Sequence, residues 1–497
     1  MKYDDIIIGG GLGGLVATAF LSKAKRKVLL IEKNANCGGC IVEYKRKGFK
    51  FDSSTHWINN VKMIKRFLAE LNAEEYVEFK KFDPMMNIIT TNGQYLLSFD
   101  VEDFKEKLIN KFEDDKDNII LFFEEAKKFG DEMELLMNSS FKYMKLMDFV
   151  KFGMNYVTNK MPVIRKYSGK KACDVIESMF KSKELKNILY SLGTVPDRSI
   201  YPILCKIAWA YSKNYYYLTK ENGKDNLPEA LERITLENGT QIKKNTEVVK
   251  IIVKDKKAVG VKCKDGTKYY GRNIISDIDA NATYFKLIGE KNLPEKFIRK
   301  IKDKKIYPSY CRISLGVDYD FAKMGYKGET ITFLPSDDLE KVFGYDLKYC
   351  RKSLYFRSLH DRSYAPENFN TLEIGFRLPY NYMNYWKTDF DRTRNEQYYD
   401  LKKIVVEEVL DSISTVFPDI REHIFFTDFI TPITYERYTG NTEGSMMGWE
   451  EGKGGILRKE PIKNFYRVGH WSFPGGGIPR VIASGKIVSD MIISREK

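Results

Sequence analysis

The chain opens on a short apolar run, Asp5-Ile6-Ile7-Ile8, bounded by glycine and too short for a helix. It predicts a buried parallel strand. Gly9-Gly10-Gly11-Leu12-Gly13-Gly14 follows, then a stretch rich in Ala, Leu, Val and Phe that predicts a helix to about Lys23. Lys27-Val28-Leu29-Leu30-Ile31 predicts a second buried strand, closed by Glu32. In the middle of the chain, Asn245 to Ile251 reads as a strand. Ala258-Val259-Gly260-Val261-Lys262-Cys263, an Asp265-Gly266 turn and a further strand predict an antiparallel hairpin within 258–275. Near the end, Phe465 to Gly469 reads as a strand running into glycine. A Pro474-Gly475-Gly476-Gly477-Ile478-Pro479 turn and an apolar helix through Ile482 to Ile493 complete the pattern. Pro479 suits the first helical turn, where its missing N–H costs nothing.

The opening unit carries chemistry. Gly9, Gly11 and Gly14 satisfy G-x-G-x-x-G between a strand and a helix, and Glu32 lies about 20 residues on at the end of the second strand. One glycine makes the turn, one admits a pyrophosphate to the backbone, and one lets helix and strand pack closely; Gly13 sits among them. The helix N-terminus offers free N–H groups to phosphate, and Glu32 is placed to accept hydrogen bonds from a ribose. A second glycine pair, Gly38-Gly39, follows the second strand, where any side chain would collide with a ligand lying close. At the far end, the glycines near Gly476 and the helix N-terminus behind them suit the negative edge of a reduced flavin.

Together these pieces resemble the phytoene desaturase, carotenoid isomerase and retinol saturase superfamily of FAD-dependent enzymes. The resemblance runs over the Gly9 to Glu32 fingerprint, Gly38-Gly39, Gly48-Phe49-Lys50-Phe51-Asp52, the strand at Val248, Ala258 to Val261, and Asp361 with Ala365-Pro366. It continues through Pro432 and Thr434 to the Pro474–Pro479 turn with Ser484-Gly485. It implies FAD as cofactor, an α/β fold in which a Rossmann-like FAD-binding domain is interleaved with an α+β substrate domain, and C=C chemistry on a lipid-like polyene. By the same resemblance Lys33 joins Glu32 at the cofactor, Val248 meets the adenine through its backbone, and Gly469, Gly476 and Ile478 lie along the flavin ring. Cys40 stands where the family usually has Arg, so no role is carried to it. The sequence Asp52 to Trp57 is saturase-like while the 474–479 turn is desaturase-like, which leaves the direction of the reaction open. A flavin amine oxidase acting on a cationic substrate, or a flavin-binding protein without turnover, are the competing readings.

The expected division is 1–95, 225–300 and 425–497 for the FAD-binding domain, with 96–224 and 301–424 as the substrate domain. Composition adds a charge of +14, from 82 Lys plus Arg against 68 Asp plus Glu, across 497 residues. That excess suits anionic partners, yet no Arg-rich tail or nucleic-acid motif accompanies it, so a nucleic-acid partner is not expected. Residues 139–169 interleave aromatics and Met with Lys142, Lys145, Lys151 and Lys160. They read either as a basic amphipathic segment on an acidic membrane surface or tunnel mouth, or as helices packed on their own domain. Seven cysteines spread along the chain form no disulfide framework, and Cys37-x-x-Cys40 lacks the second pair a zinc site requires. A cytoplasmic protein, peripheral at most at the membrane inner face, is the expectation; the external electron donor or acceptor is left open. For acid–base work the candidates are His56, beside Asp52, and His470, after Gly469. Either ring is placed to shuttle a proton near neutral pH or to hydrogen-bond cofactor or backbone.

Overall fold

The computed structural model describes residues 2–54, 57–140, 161–193, 195–450 and 460–495. The first sheet forms around the opening strand. Lys2–Ile8 lies parallel between Val28–Ile31 and Lys268–Ser276, with Ile6 opposite both Leu29 and Ile274. Gln241–Lys243 extends the parallel part beyond Val28–Ile31, and Phe465–Arg467 joins it on the far side of Lys268–Ser276. Val248–Lys254 and Lys257–Cys263 form an antiparallel hairpin that continues onto the N-terminal part of Lys268–Ser276. The β-branched run pays for itself through burial: Ile6 and Ile7 are fully covered, each contributing about 1.5–3 kcal/mol.

Two helices cover one face. Leu12–Lys23 is buried along almost its whole length, and Ile478–Ser494 packs directly on it. The contact is close because Gly485 faces the Gly13 carbonyl, where a Cβ would come within 2.6 Å. The Ser489 hydroxyl donates to the Ala17 carbonyl at 3.3 Å. The first and last helices of the chain therefore form one layer.

A second sheet runs in the order Ile424–Ile430, Cys311–Val317, Asn370–Phe376, Lys352–Tyr355, Thr330–Phe333, Met86–Thr90, Gly93–Leu97. Its strands are antiparallel except where Thr330–Phe333 lies parallel to Met86–Thr90. The expected boundaries at 95 and 425 group most of Met86–Leu97 and Ile424–Ile430 with the first sheet, whereas their hydrogen bonds lie in the second. A helical group, Val101–Lys111, Lys116–Ser140, Pro162–Tyr167, Ala172–Met179, Lys183–Ser191 and Tyr201–Tyr211, shares a core that includes Phe104, Phe122, Phe129 and Leu204. Of the segment 139–169 weighed for a membrane surface, 141–160 lie outside the described residues. Among the described residues no helix is long and apolar enough to cross a membrane.

Candidate cofactor turn and substrate cavity

The glycine turn stands at the carboxyl ends of the parallel strands, where ligands of open α/β sheets bind. Gly11 caps Leu12–Lys23 with no side-chain hydrogen bond and the first turn carries no acid of its own, while Asp277, from beyond the third parallel strand, accepts from the Gly14 amide. A Cβ on Gly14 would lie 2.3 Å from the Gly9 carbonyl oxygen, which only glycine avoids. Glu32 closes the turn from the next strand. Its carboxylate accepts from the Gly10 amide at 2.7 Å and the Asn34 amide at 2.8 Å. The Gly38 amide donates to the Gly10 carbonyl at 2.7 Å, and Gly39 packs on Gly11 at 3.1 Å from a built Cβ. Thr246 donates to the Glu32 carbonyl at 2.9 Å, which sets the start of Val248–Lys254 beside the same acid. Lys33 is exposed, and its Nζ would sit 2.9 Å from a Cβ on Gly440.

The carboxy-terminal pieces meet this turn directly. Val468 donates to the Ser276 carbonyl at 3.0 Å, Gly469 donates to the Ser484 hydroxyl at 2.8 Å, and a Cβ on Gly13 would lie 2.6 Å from the Gly469 nitrogen. Gly476 packs on the Met447 carbonyl, 2.7 Å from a built Cβ, and Ile478 opens the last helix with Pro479 in its first turn. Behind them Trp449 and Arg467 both donate to the Trp471 carbonyl, at 3.0 and 2.8 Å, while Trp471 donates to the Asn441 side chain at 2.9 Å. This network fixes the chain on either side of His470. Burial lowers the His470 imidazole to about 4, so it is uncharged at neutral pH, and its Nε2 is buried without a hydrogen-bond partner. His56 lies outside the described residues.

Several groups here belong to no motif of the sequence. Asp277 follows Lys268–Ser276 and stands among Gly11, Gly13, Gly14 and Gly469, accepting from the Gly14 amide at 2.7 Å. Burial, with the Glu32 charge adding to it, pushes its carboxyl up to about 8. The signal was available: an acid one residue beyond a third parallel strand falls at the mouth of the turn. Arg312, on Cys311–Val317 one strand in from the edge of the second sheet, donates to the Asp52 carbonyl at 2.8 Å, to Glu373 at 2.9 Å and to the Ser54 carbonyl, tying residues 52–54 to that sheet. Cys37 and Cys40 are free, and burial pushes both thiols up to about 12.

Between the last turn and the helical group lies a cavity of about 2410 Å³. Pro474, Gly477, Ile478 and Arg480 form part of its wall, and Trp57, Lys206 and Trp209 another part. Lys206 is only 5% exposed, on helix Tyr201–Tyr211. Its Nζ lies 4.3 Å from the Trp57 ring centre, 4.6 Å from Tyr215 and 5.9 Å from Trp209, and donates to the Tyr215 hydroxyl at 3.0 Å. Burial lowers this amine to about 7.

The residues at the turn fit a dinucleotide: a helix end with no acid in its own first turn, glycines that leave no room for a Cβ, and an acid on the second strand. The chain belongs to the family of flavin containing amine oxidoreductases, whose model matches residues 12–493. It is an FAD-dependent oxidoreductase. Within that class it falls in the phytoene desaturase, carotenoid isomerase and retinol saturase superfamily. It is 26% identical over 509 residues to a prolycopene isomerase of Daucus carota, covering 97% of this chain and 79% of that one. It is 23% identical to an all-trans-retinol 13,14-reductase of Danio rerio, covering 94% and 82%. An oxidoreductase of Methanosarcina mazei shares the fold, with a TM-score of 0.66 at 18% identity over 99% of this chain and 100% of that one.

Proposed function

We propose that the protein desaturates, saturates or isomerises C=C bonds of a long lipid-like polyene with FAD as its redox group. The observation that carries this reading is the cavity. Pockets for ordinary small ligands occupy about 300–1,000 Å³. This one, at about 2410 Å³, has room for a much longer molecule and runs between the 474–480 turn and an aromatic wall. The names of the two relatives, one an isomerase of prolycopene and one a reductase of all-trans-retinol, support the substrate class.

On this reading Gly9, Gly11, Gly13 and Gly14 admit the diphosphate, Glu32 and Lys33 meet the adenosine side with Val248, and Gly38 and Gly39 let the chain pass close to the cofactor. Gly469, Gly476 and Ile478 border the flavin ring. Bound FAD supplies two-electron hydride chemistry. The chain itself aligns the substrate bond and excludes water, through the ring faces of Trp57 and Trp209 and the apolar side of Ile478. His470, held neutral, serves as a hydrogen-bonding group and does not deliver a proton as an imidazolium. The first sheet with its two covering helices is the cofactor side; the second sheet with the helical group is the substrate side.

The test is a screen of purified flavin-loaded protein against polyenes, unsaturated fatty acids and amines, under reducing and oxidising conditions. Spectral change of the flavin with polyenes is expected. A response to amines alone would replace this reading with amine oxidation.

A further inference from the structure

Lys206 and Arg351 bring positive charge to one wall of the cavity. Lys206 has no carboxylate within ion-pair distance among the described residues; its partners are three aromatic rings and one phenol. Arg351, from the segment leading into Lys352–Tyr355, lines the same cavity. Its described side-chain contact is the Phe343 ring at 5.4 Å, again with no acid. The two cations oppose each other: the Arg351 charge disfavours the charged form of Lys206, and Arg377 acts in the same sense on Arg351.

Burying an unpaired cation costs several kcal/mol, and cation–π contacts return only about 2 kcal/mol when desolvated. A buried Lys206 and a half-buried Arg351 on one cavity wall, from different elements, form an arrangement that an entering anion completes. We propose that this wall receives the carboxylate end of a long unsaturated substrate, with Lys206 and Arg351 as its paired cations. The inference rests on the polyene reading above and adds to it the chemistry of the substrate's end.

The donor set favours a carboxylate. The guanidinium presents a planar fork that matches two oxygens, and the ammonium adds a point charge. Trp57 and Trp209 line the cavity beside Lys206, and their rings accept the first carbons of an apolar chain that follows the charged end. A substrate held there shares its cavity with Gly477 and Ile478, so the carboxylate end fixes which part of the chain can reach the cofactor turn.

The test measures equilibrium binding of a conjugated tetraenoic fatty acid, by its own fluorescence, to the flavin-loaded protein. Its methyl ester, the alkyl phosphate of equal length and a hydrocarbon polyene are the comparison ligands. The acid is expected to bind more than about tenfold tighter than the ester. Lys206→Met and Arg351→Met should each remove most of that advantage while leaving the ester's affinity unchanged, and Lys206→Arg should keep it. Flavin absorbance of each variant reports whether it has folded around its cofactor. Equal binding of acid and ester, or variants that weaken both alike, would overturn the inference and leave the polyene reading standing. Tighter binding of the alkyl phosphate would overturn the carboxylate in favour of a phosphate end. If acid, ester and hydrocarbon all fail to bind, the polyene reading falls as well.

Discussion

Asp277 at the cofactor turn and Lys206 in the cavity wall are the same physical device with opposite sign. Burial pushes the acid up to about 8 and the amine down to about 7, and in each case a like charge, Glu32 or Arg351, adds to the effect. They differ in what surrounds them. Asp277 is enclosed by backbone, at glycines where a Cβ would come within 2.1–3.0 Å of its atoms or of the turn. Lys206 is enclosed by side chains, the rings of Trp57, Trp209 and Tyr215. A site made of backbone tolerates almost no substitution, whereas a site made of side chains can be retuned. The first suits a fixed cofactor and the second a substrate that differs among relatives.

The sharpest way to break this contrast is Gly14→Val. Its Cβ would meet the Gly9 carbonyl oxygen at 2.3 Å, and no rotamer relieves a clash with backbone. FAD retention should fall by at least about a hundredfold, equivalent to about 3 kcal/mol. Flavin absorbance after purification in excess FAD checks this, and full retention would show that the turn is not held by its backbone path.

The next effect sets a paired buried charge against an unpaired one. Arg312 and Glu373 are both covered and joined at 2.9 Å. Glu373→Ala should destabilise the protein by about 3–5 kcal/mol in denaturant titrations, because Arg312 is left buried without its counter-charge. Lys206→Met should do the reverse and stabilise by about 1–3 kcal/mol, because an unpaired ion is replaced by apolar volume. The sign follows from linkage: a base whose folded pKa is lowered loses stability as pH falls from its unfolded value near 10.4 toward about 7. The gain in Lys206→Met should therefore grow over that window and stay level below it. A loss of stability at pH 7 would mean that the amine is paired.

Asp277 gives a smaller effect with the opposite pH trend. Its folded pKa is raised, so its contribution to stability is complete below about pH 4 and is lost as pH rises to about 8. Above about 8 an anionic Asp277 also faces any diphosphate at the turn. FAD affinity of the natural protein should fall by up to tenfold per pH unit there, and Asp277→Asn should remove the fall. Fluorescence titration with FAD between about pH 6 and 9 reads the difference; parallel curves would remove Asp277 from the diphosphate's surroundings.

Much of the first sheet was legible because its information is local. The Ile6–Ile8 run, the glycine spacing, Glu32 and the Pro479 helix start are each written within a few residues, and the strands and helices stand where that spacing put them. The partition of Met86–Leu97 and Ile424–Ile430 was not legible. Their apolar residues announce strands, but the partners that decide the sheet, Thr330–Phe333 and Cys311–Val317, are separated from one end of the pairing by more than a hundred residues in each case or return by a long path. Lys206 left only a faint trace, a single Lys in the apolar run Ile203-Leu204-Cys205-Lys206-Ile207-Ala208-Trp209. Nothing local says whether such a Lys reaches water or turns inward. Its cage is assembled from Trp57 and Tyr215, which a different small sheet brings to it.

The smallest predicted effect separates the two titrating sites from the histidine that follows Gly469. Burial lowers His470 to about 4, so it carries no charge over the neutral range, and its contribution to stability is complete above about pH 6.5 and is lost as pH falls to about 4. His470→Gln keeps a hydrogen-bonding side chain of similar reach and should change the turnover rate by no more than about threefold. It should leave the shape of the pH–rate profile between about pH 6 and 9 unaltered. Any limb near pH 7 then belongs to Lys206 and should disappear in Lys206→Met, while a limb near pH 8 should disappear in Asp277→Asn. A limb that vanished in His470→Gln instead would mean that the imidazole is charged in the working enzyme, and that water or ligand reaches its buried Nε2.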